Sequence, residues 1–314
     1  MFLHRFGDLV VGSELELTQL PFAQDALPEC VLTLQRPLSF AETAWGHLWR
    51  RPDGSVSLSC AKDGDDYALG FPSWGRAIVR DEGRSIEVLL EPGVPRETVE
   101  HLVCDQLLPR VAAFRGRLVL HAGCVVTAAG ACAFLGASGA GKSTLCARFV
   151  RDGDLLLGDD GIFVRRGTSG GFEAEATYPG LRLLPDPIAE LWEDAPVDAG
   201  PVSHDSAKRR LPAGACGAFP LRAIYVLDEP SPAEDSDRAE TTLLPPREGF
   251  VALLRSCFQL HLDDPVRTRR LFEQISELLD AVPVRAVRYA RRLELLPGVR
   301  DEVLRDLAET MLRG

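Results

Sequence analysis

The stretch Gly136-Ala137-Ser138-Gly139-Ala140-Gly141-Lys142-Ser143 carries glycine, lysine and serine at every fixed position of a P-loop. It follows the apolar run 131–135 and precedes the segment 143–150, whose apolar spacing is helical. This order predicts a strand, a glycine-rich turn and a helix whose first N–H groups bind phosphate. The alternative is a glycine-rich turn without a ligand, and the complete match to the motif disfavours it.

The motif assigns its residues to the parts of a nucleotide. The ammonium of Lys142 is expected to reach the outer phosphates as a point charge, and the Ser143 hydroxyl to bind a Mg²⁺ ion between them. The expected ligands of the phosphates are the residues of the loop and of the first helical turn: Gly136, Ser138, Gly139, Ala140, Gly141, Lys142, Ser143 and Thr144.

Two carboxylates follow the motif, because Asp159 and Asp160 end the apolar run 155–158. Adjacent residues of a strand point to opposite faces, so we expect one carboxylate to approach the metal and the other to face the acceptor. A carboxyl held near phosphate charge has a raised pKa and can take a proton from a hydroxyl. An ordinary Asp-Asp-Gly turn is the alternative.

The composition is that of an ordinary globular protein, with 314 residues, 46% hydrophobic and 26% charged. The sequence shows no apolar run of membrane-spanning length and no apolar core of a signal peptide, so we expect a cytoplasmic protein without a membrane partner. The formal charge of −11 argues against nonspecific binding of nucleic acid. The eight cysteines stand singly and never as CxxC, which predicts neither a zinc site nor a redox pair.

The chain is expected to form two domains. Short alternating segments predict a β-rich N-terminal domain over 1–105, and the P-loop domain is predicted over 106–314. The second domain is predicted to be α/β with a mixed sheet, because its strands interleave with little helix. The remaining expectations concern its later parts: a loop-rich stretch over 165–217, an acidic loop over 231–240, and helices over 246–260, 265–279 and 299–312.

Three further side chains are candidates for the site. His121 closes an apolar strand before the P-loop strand, and it would lie near the phosphates if the two strands pair; a structural hydrogen bond is the alternative. Lys208 is one of only three lysines among 35 basic residues, so it either fills a position that needs a compact ammonium or is there by chance. Arg182 either neutralises the transferring phosphoryl group or lies on the surface of a Pro/Gly loop.

The order of these motifs resembles a known family. His121-Ala122-Gly123, then the P-loop, then Leu157-Gly158-Asp159-Asp160, is similar to the catalytic domain of the HPr kinase/phosphorylase family. That family is a P-loop branch with a fold like that of phosphoenolpyruvate carboxykinase, and it phosphorylates a serine on a small carrier protein. The segment Tyr178-Pro179-Gly180-Leu181-Arg182 and the β-rich N-terminal part resemble a subgroup found beside peptide-modifying gene clusters, which includes lasso-peptide kinases.

The resemblance implies a kinase that uses ATP and Mg²⁺, with Lys142 and Ser143 as phosphate and metal ligands. It gives the two aspartates the roles of base and metal ligand. The order of these roles stays open, and we assign Asp159 as the base and Asp160 as the carboxylate beside the metal. It also makes His121 an active-site residue.

The expected acceptor is a hydroxyl, most simply a serine of a peptide or small protein, which the N-terminal domain would dock. The alternatives are a kinase for a small metabolite alcohol and a P-loop ATPase or nucleotide-dependent switch without an acceptor. HPr itself and reverse phosphorolysis are not carried over, because the family's glycine-rich signature after the aspartates is replaced here by the segment 178–182. A homo-oligomer is considered because members of the family assemble.

Overall fold

The structure is a computed structural model that describes residues 1–314 except for 25, 38–42, 52, 73, 169, 179, 193–201, 204–205, 212–213, 215–216, 228–237, 261–263 and 314. The described residues cluster into two units: Met1–Arg117 with Gln259–Arg267, and Leu118–Phe258 with Thr268–Gly314. The expected acidic loop falls mostly outside the described residues. Within them, no helix has the length and apolar character needed to span a membrane.

The first unit contains an eight-stranded mixed sheet with the order β1-β2-β3-β8-β7-β6-β5-β4. Buried and partly exposed residues alternate along the strands 75–80 and 85–90, so one face of this part of the sheet carries the buried side chains. The strands are β1 (Phe2–Phe6), β2 (Leu9–Ser13), β3 (Cys30–Gln35), β4 (His47–Arg50), β5 (Val56–Asp63), β6 (Asp66–Phe71), β7 (Gly75–Arg80) and β8 (Ser85–Leu90).

A helical segment follows β8 and belongs to the same unit. It consists of α1 (Arg96–His101), a π-helical stretch (Leu102–Leu107) and α2 (Leu108–Phe114). The ring of Phe114 packs edge-on against Tyr67 of β6, with 5.1 Å between their centroids. This packing explains why the first unit extends to Arg117, past the boundary at residue 105 that we expected from the sequence.

The second unit is built on a nine-stranded sheet whose main path has the order β12-β10-β11-β17-β14-β13-β9. Strand β19 pairs with β17, and β18 pairs with β19. The strands are β9 (Leu118–Leu120), β10 (Gly123–Thr127), β11 (Gly130–Leu135), β12 (Leu155–Gly158), β13 (Ile162–Arg166), β14 (Phe172–Ala176), β17 (Ala218–Leu227), β18 (Glu240–Leu243) and β19 (Val284–Arg288). Parallel and antiparallel pairs both occur, which confirms the predicted mixed sheet.

Strand direction decides which chain segments meet at one edge of this sheet. Strands β11, β17 and β19 are parallel, so their carboxyl ends lie together. Strand β10 is antiparallel to both β11 and β12, so the carboxyl end of β12 and the start of β10 lie at that same edge. The P-loop follows β11, the two aspartates follow β12, and His121 precedes β10. All three segments therefore converge.

Helices cover both faces of the sheet. On one face Phe134 and Cys132 of β11 join a core with residues of α3 (Lys142–Arg151) and α7 (Leu296–Arg313). On the other face Ala133 and Leu135 join a core with residues of α5 (Pro246–Ser256) and α6 (Pro265–Ala281). Strand β11 is therefore buried on both faces, as expected for a central strand.

The predicted C-terminal helices correspond to α5, α6 and α7. The stretch 165–217, which we expected to be loop-rich, contains more regular structure than that. It holds the end of β13, strand β14, helix α4 (Pro185–Leu191) and a ribbon of two antiparallel strands, β15 (Leu181–Leu183) and β16 (Arg209–Leu211). The ribbon pairs residues that lie far apart in the chain, a contact that the local pattern of the sequence does not reveal.

The packing of β10 against α3 leads to a stability prediction. A Cβ added at Gly123 would lie 2.7 Å from Sγ of the buried Cys146, so Gly123→Ala must push β10 and α3 apart. We expect urea denaturation to show a free energy of unfolding about 1–3 kcal/mol lower than that of the wild type. The matched control is Gly298→Ala in α7, where a Cβ meets open space and the free energy of unfolding should stay level or rise by up to about 1 kcal/mol. Equal losses in the two variants would contradict this packing.

Candidate active site

The loop between β11 and α3 has a backbone that only glycine adopts readily. The φ angles of Gly136, Gly139 and Gly141 are 152°, 81° and 88°. At Gly136 space is also short, because an added Cβ would lie 2.9 Å from the Cβ of Ala140. At Gly139 an added Cβ would meet nothing within 4 Å, and Gly139 lines an open cleft, so this part of the loop is accessible to a ligand.

The ammonium of Lys142 closes this loop. Only 6% of the residue is exposed, and Nζ donates to the carbonyl oxygens of Gly136 at 2.8 Å and Ala137 at 3.2 Å. Burial lowers the pKa of Lys142, while the charges of Asp160 and Asp159 oppose that change. The lysine therefore holds a charge inside the loop where the motif predicts phosphate.

Asp159 lies buried beside the start of α3, with 4% of the residue exposed. Its Oδ2 accepts a hydrogen bond of 2.8 Å from the main-chain N–H of Arg182 in β15. Burial and then the Asp160 carboxylate raise the pKa of Asp159 to about 7. The Ser143 hydroxyl, the Arg182 N–H and the Lys208 ammonium oppose this rise. The carboxyl is thus poised between its two protonation states near neutral pH.

Asp160 is more accessible, and its side chain is held by the same arginine. Oδ2 of Asp160 accepts a 2.8 Å hydrogen bond from Nη1 of Arg182, whose side chain is 2% exposed while that of Asp160 is 22% exposed. The guanidinium lies 5.0 Å from the centre of the Tyr178 ring and also donates to the hydroxyl of Tyr178. Arg182 is therefore buried, and the alternative of a surface arginine is wrong.

His121 lies in the corner between β9 and β10. Strand β9, which ends just before His121, pairs with β13 and not with the P-loop strand, so the pairing that we considered from the sequence is wrong. His121 nevertheless reaches the site, because Nδ1 lies 2.9 Å from the carbonyl oxygen of Asp160. A carbonyl oxygen only accepts, so Nδ1 carries the proton of this bond. The histidine supports the main chain of Asp160.

The donor atoms at the start of α3 fit a small hard cation. Ser143 supplies a hydroxyl, and Oδ1 of Asp159 accepts no hydrogen bond of normal geometry from the described residues, although it is buried. The described residues hold no group of three or more His, Cys, Asp or Glu that could bind a metal on their own. Mg²⁺ suits such a site, because proteins usually bind it through one or two side chains together with waters and the phosphates of the substrate.

A cleft of about 510 Å³ adjoins the loop on the side of β17 and β19, which is within the usual range for sites of small molecules. Ser138, Gly139 and Thr144 form its loop side, and Tyr289, Arg292 and Leu296 are among the residues opposite. Arg291 connects the two sides by donating to the carbonyl oxygen of Ala140. The apolar side chain of Leu296 and the planar groups of Tyr289 and Arg292 fit an aromatic ring beside the phosphate site.

The structure thus brings together all the residues that the sequence singled out for the site. The sequence did not predict the cleft, because Tyr289 and Arg291 belong to no recognised motif. The available signal was a tyrosine and two arginines directly after β19, namely Tyr289, Arg291 and Arg292.

No protein-family model matches the chain, and no curated protein matches it. Among solved structures, the chain is similar to one described as "Structure of the Hpr(Ser) kinase/phosphatase from Coxiella burnetii". The identity is 13%, the match covers 62% of this chain and 96% of that chain, and the TM-score is 0.30. A TM-score of 0.30 is too low to support an assignment of function, and none of these comparisons supports the lasso-peptide subgroup. The geometry of the site is therefore the basis for its proposed function.

The raised pKa of Asp159 predicts a pH-dependent stability in the absence of divalent cations. The ordinary value is 3.8 and the folded value is about 7, so the folded protein holds this proton more tightly than the unfolded chain does. The resulting stabilisation is complete below the unfolded pKa and is lost as the pH rises through the folded pKa. We expect the free energy of unfolding in EDTA to fall between about pH 4 and about pH 7 in the wild type, and to fall less in Asp159→Asn.

Chemical denaturation at several pH values measures this difference. The matched control is Asp280→Asn on the exposed side of α6, which should retain the pH dependence of the wild type. Identical profiles for Asp159→Asn and the wild type would show that Asp159 does not titrate in this range.

Proposed function

We propose that the protein is an ATP- and Mg²⁺-dependent phosphotransferase that moves the γ-phosphoryl group onto a hydroxyl. One observation supports this proposal most directly. Lys142 and Ser143 of the P-loop lie beside Asp159 and Asp160, and the buried Arg182 binds both aspartates. Phosphoryl transfer requires a protein mainly to position the reactants and to stabilise the negative charge of the transferring group. This set of side chains can do both.

The donor half of the site is a nucleotide with its phosphates in the loop and its base in the adjoining cleft. The accessible part of the loop at Gly139 receives the phosphates, and Lys142 exchanges its hydrogen bonds to Gly136 and Ala137 for bonds to phosphate oxygens. The base occupies the space between the loop and Tyr289. A Mg²⁺ ion held by Ser143 and one aspartate would supply positive charge between the β- and γ-phosphates.

Burial favours one order of the two aspartates over the other. Asp159 is buried next to Ser143, and its Oδ1 accepts no hydrogen bond of normal geometry from the described residues, so an ion reaches it more easily than an acceptor does. Asp160 is partly exposed, and Arg182 fixes its carboxylate. We therefore propose Asp159 as the carboxylate beside the metal and Asp160 as the one that faces the acceptor. This is the reverse of the order assigned from the sequence.

In the proposed reaction the acceptor oxygen forms a bond to the γ-phosphorus while the bond to the β–γ bridging oxygen breaks. ADP leaves, and the hydroxyl proton passes to the Asp160 carboxylate. Arg182 orients that carboxylate through Nη1, and His121 holds its main chain through the carbonyl oxygen. Both are positioning residues in this scheme.

The acceptor that the motif resemblance implies is a serine of a peptide or small protein. The first unit, with its eight-stranded sheet, is the part that we propose for docking it. A net charge of −11 is compatible with a neutral or basic acceptor.

Incubation with ATP labelled at the γ-phosphate tests the proposed function. We expect label to appear on a hydroxyl of peptides or small proteins encoded near this chain in its genome. Lys142→Ala should lose nucleotide binding and labelling together, because it removes the only charge inside the loop that binds phosphate. Lys62→Ala, in the other unit, is the matched control and should retain nucleotide binding. Release of free phosphate without a labelled acceptor would instead favour an ATPase.

Two substitutions distinguish the proposed order of the aspartates. Asp160→Asn should lower the transfer rate by about 10²–10⁴-fold with little change in the Mg²⁺ concentration for half-maximal rate, since it removes the proton acceptor. Asp159→Asn should raise that Mg²⁺ concentration. Titration of the rate with Mg²⁺ measures both effects, with Asp280→Asn as the control. The opposite result, in which only Asp160→Asn changes the Mg²⁺ dependence, would restore the order assigned from the sequence.

A further inference from the structure

Lys208 stands at a fixed point of the chain directly before β16. Its carbonyl oxygen accepts a hydrogen bond of 3.2 Å from the N–H of Val202, and its own N–H donates to the hydroxyl of Ser206 at 3.2 Å. The next residue, Arg209, pairs with Leu183 of β15. The main chain of Lys208 is therefore held on both sides, and only the side chain is left to move.

The ribbon that carries Lys208 is attached to the carboxylates of the site. Arg182 of β15 binds Asp159 through its main chain and Asp160 through its side chain. Arg182 pairs with Arg210, and Lys208 directly precedes the strand that contains Arg210. The β15–β16 ribbon therefore places the main chain of Lys208 close to Arg182, which binds both carboxylates.

The charge of Lys208 reaches two groups of the site. It acts on Asp159, whose ionised form it favours, and on Lys142, whose charged form it disfavours. Among the described residues the Lys208 ammonium has no hydrogen bond or ion pair, whereas Lys142 is bonded to loop carbonyls and Asp160 to Arg182. An anion bound by both ammonium groups would offset their mutual repulsion.

The use of lysine here is selective. Only Lys62, Lys142 and Lys208 are lysines in a chain with 35 basic residues. Lys62 lies in the other unit, 5.7 Å from the ring centre of Tyr67, so both remaining lysines belong to this site. An ammonium on a flexible stem can follow a phosphoryl group that moves between donor and acceptor, which a rigid planar guanidinium does less easily.

We propose that Lys208 is a second phosphate-binding cation, which contacts the γ-phosphoryl group and distinguishes a nucleoside triphosphate from a diphosphate. This inference rests on the proposed function, because it assumes that the loop holds a nucleotide. The P-loop lysine binds the phosphates common to both nucleotides, and Lys208 adds the contact that only the triphosphate offers.

Calorimetric titration with Mg²⁺-ADP and with a non-hydrolysable Mg²⁺-ATP analogue tests this assignment without any acceptor. Lys208→Met should weaken the binding of the ATP analogue by about 10- to 100-fold, the loss expected for one charge-assisted hydrogen bond, and leave ADP binding within about twofold. Lys142→Met should weaken both. Lys208→Arg should recover part of the affinity for the analogue, and Lys62→Met should match the wild type.

The outcomes separate the two levels of the proposal. Equal weakening of both nucleotides by Lys208→Met, or no weakening of either, overturns the role of Lys208 while the wild type still binds nucleotide. A wild-type protein that binds neither nucleotide overturns the proposed function and this inference together. Lys208→Gln, which retains a polar side chain of similar length, replaces Lys208→Met if the latter lowers the thermal unfolding temperature.

Discussion

Strand β10 runs antiparallel to both β11 and β12, and this pairing determines which residues can meet. A parallel β10 would carry His121 to the opposite edge of the sheet from the P-loop. With the observed direction, the loop after β11, the aspartates after β12 and the histidine before β10 share one edge. The directions of the strands therefore determine the position of the site. The apolar side chains of the sheet pack into a core on each face and stabilise these strands.

The charges at this edge are unusually well enclosed for groups of their type. Arg182, Lys142 and Asp159 are almost fully buried, and charged groups tolerate burial only when partners replace water. Arg182 and Asp160 satisfy each other, and Lys142 uses carbonyl oxygens of its own loop. Burial and then the charge of Asp160 raise the pKa of Asp159, whose Oδ1 accepts no hydrogen bond of normal geometry from the part of the chain that the structure describes. Asp159 lies beside Ser143, where the cation is proposed to bind.

The sequence was sufficient for the parts of the site that are local in the chain. The loop, its lysine and serine, and the paired aspartates each lie within a short segment whose pattern implies its structure. The contacts of Arg182 could not be foreseen, because they join β15 to residues that follow β12, 22 and 23 positions earlier in the chain. The contact of Arg291 with Ala140 spans 151 positions and depends on the parallel pairing of β19 with β17. Burial also changed the order that we propose for the aspartates, which the sequence had left open.

Arg182 binds the two carboxylates with different parts of itself. Asp159 receives a main-chain N–H, which every residue except proline would provide, whereas Asp160 depends on the guanidinium. Replacement of Arg182 by another residue that keeps its N–H would therefore remove the contact with Asp160 while Asp159 keeps its hydrogen bond. In the proposed scheme, position 182 is thus a place where the acceptor side can change separately from the nucleotide side.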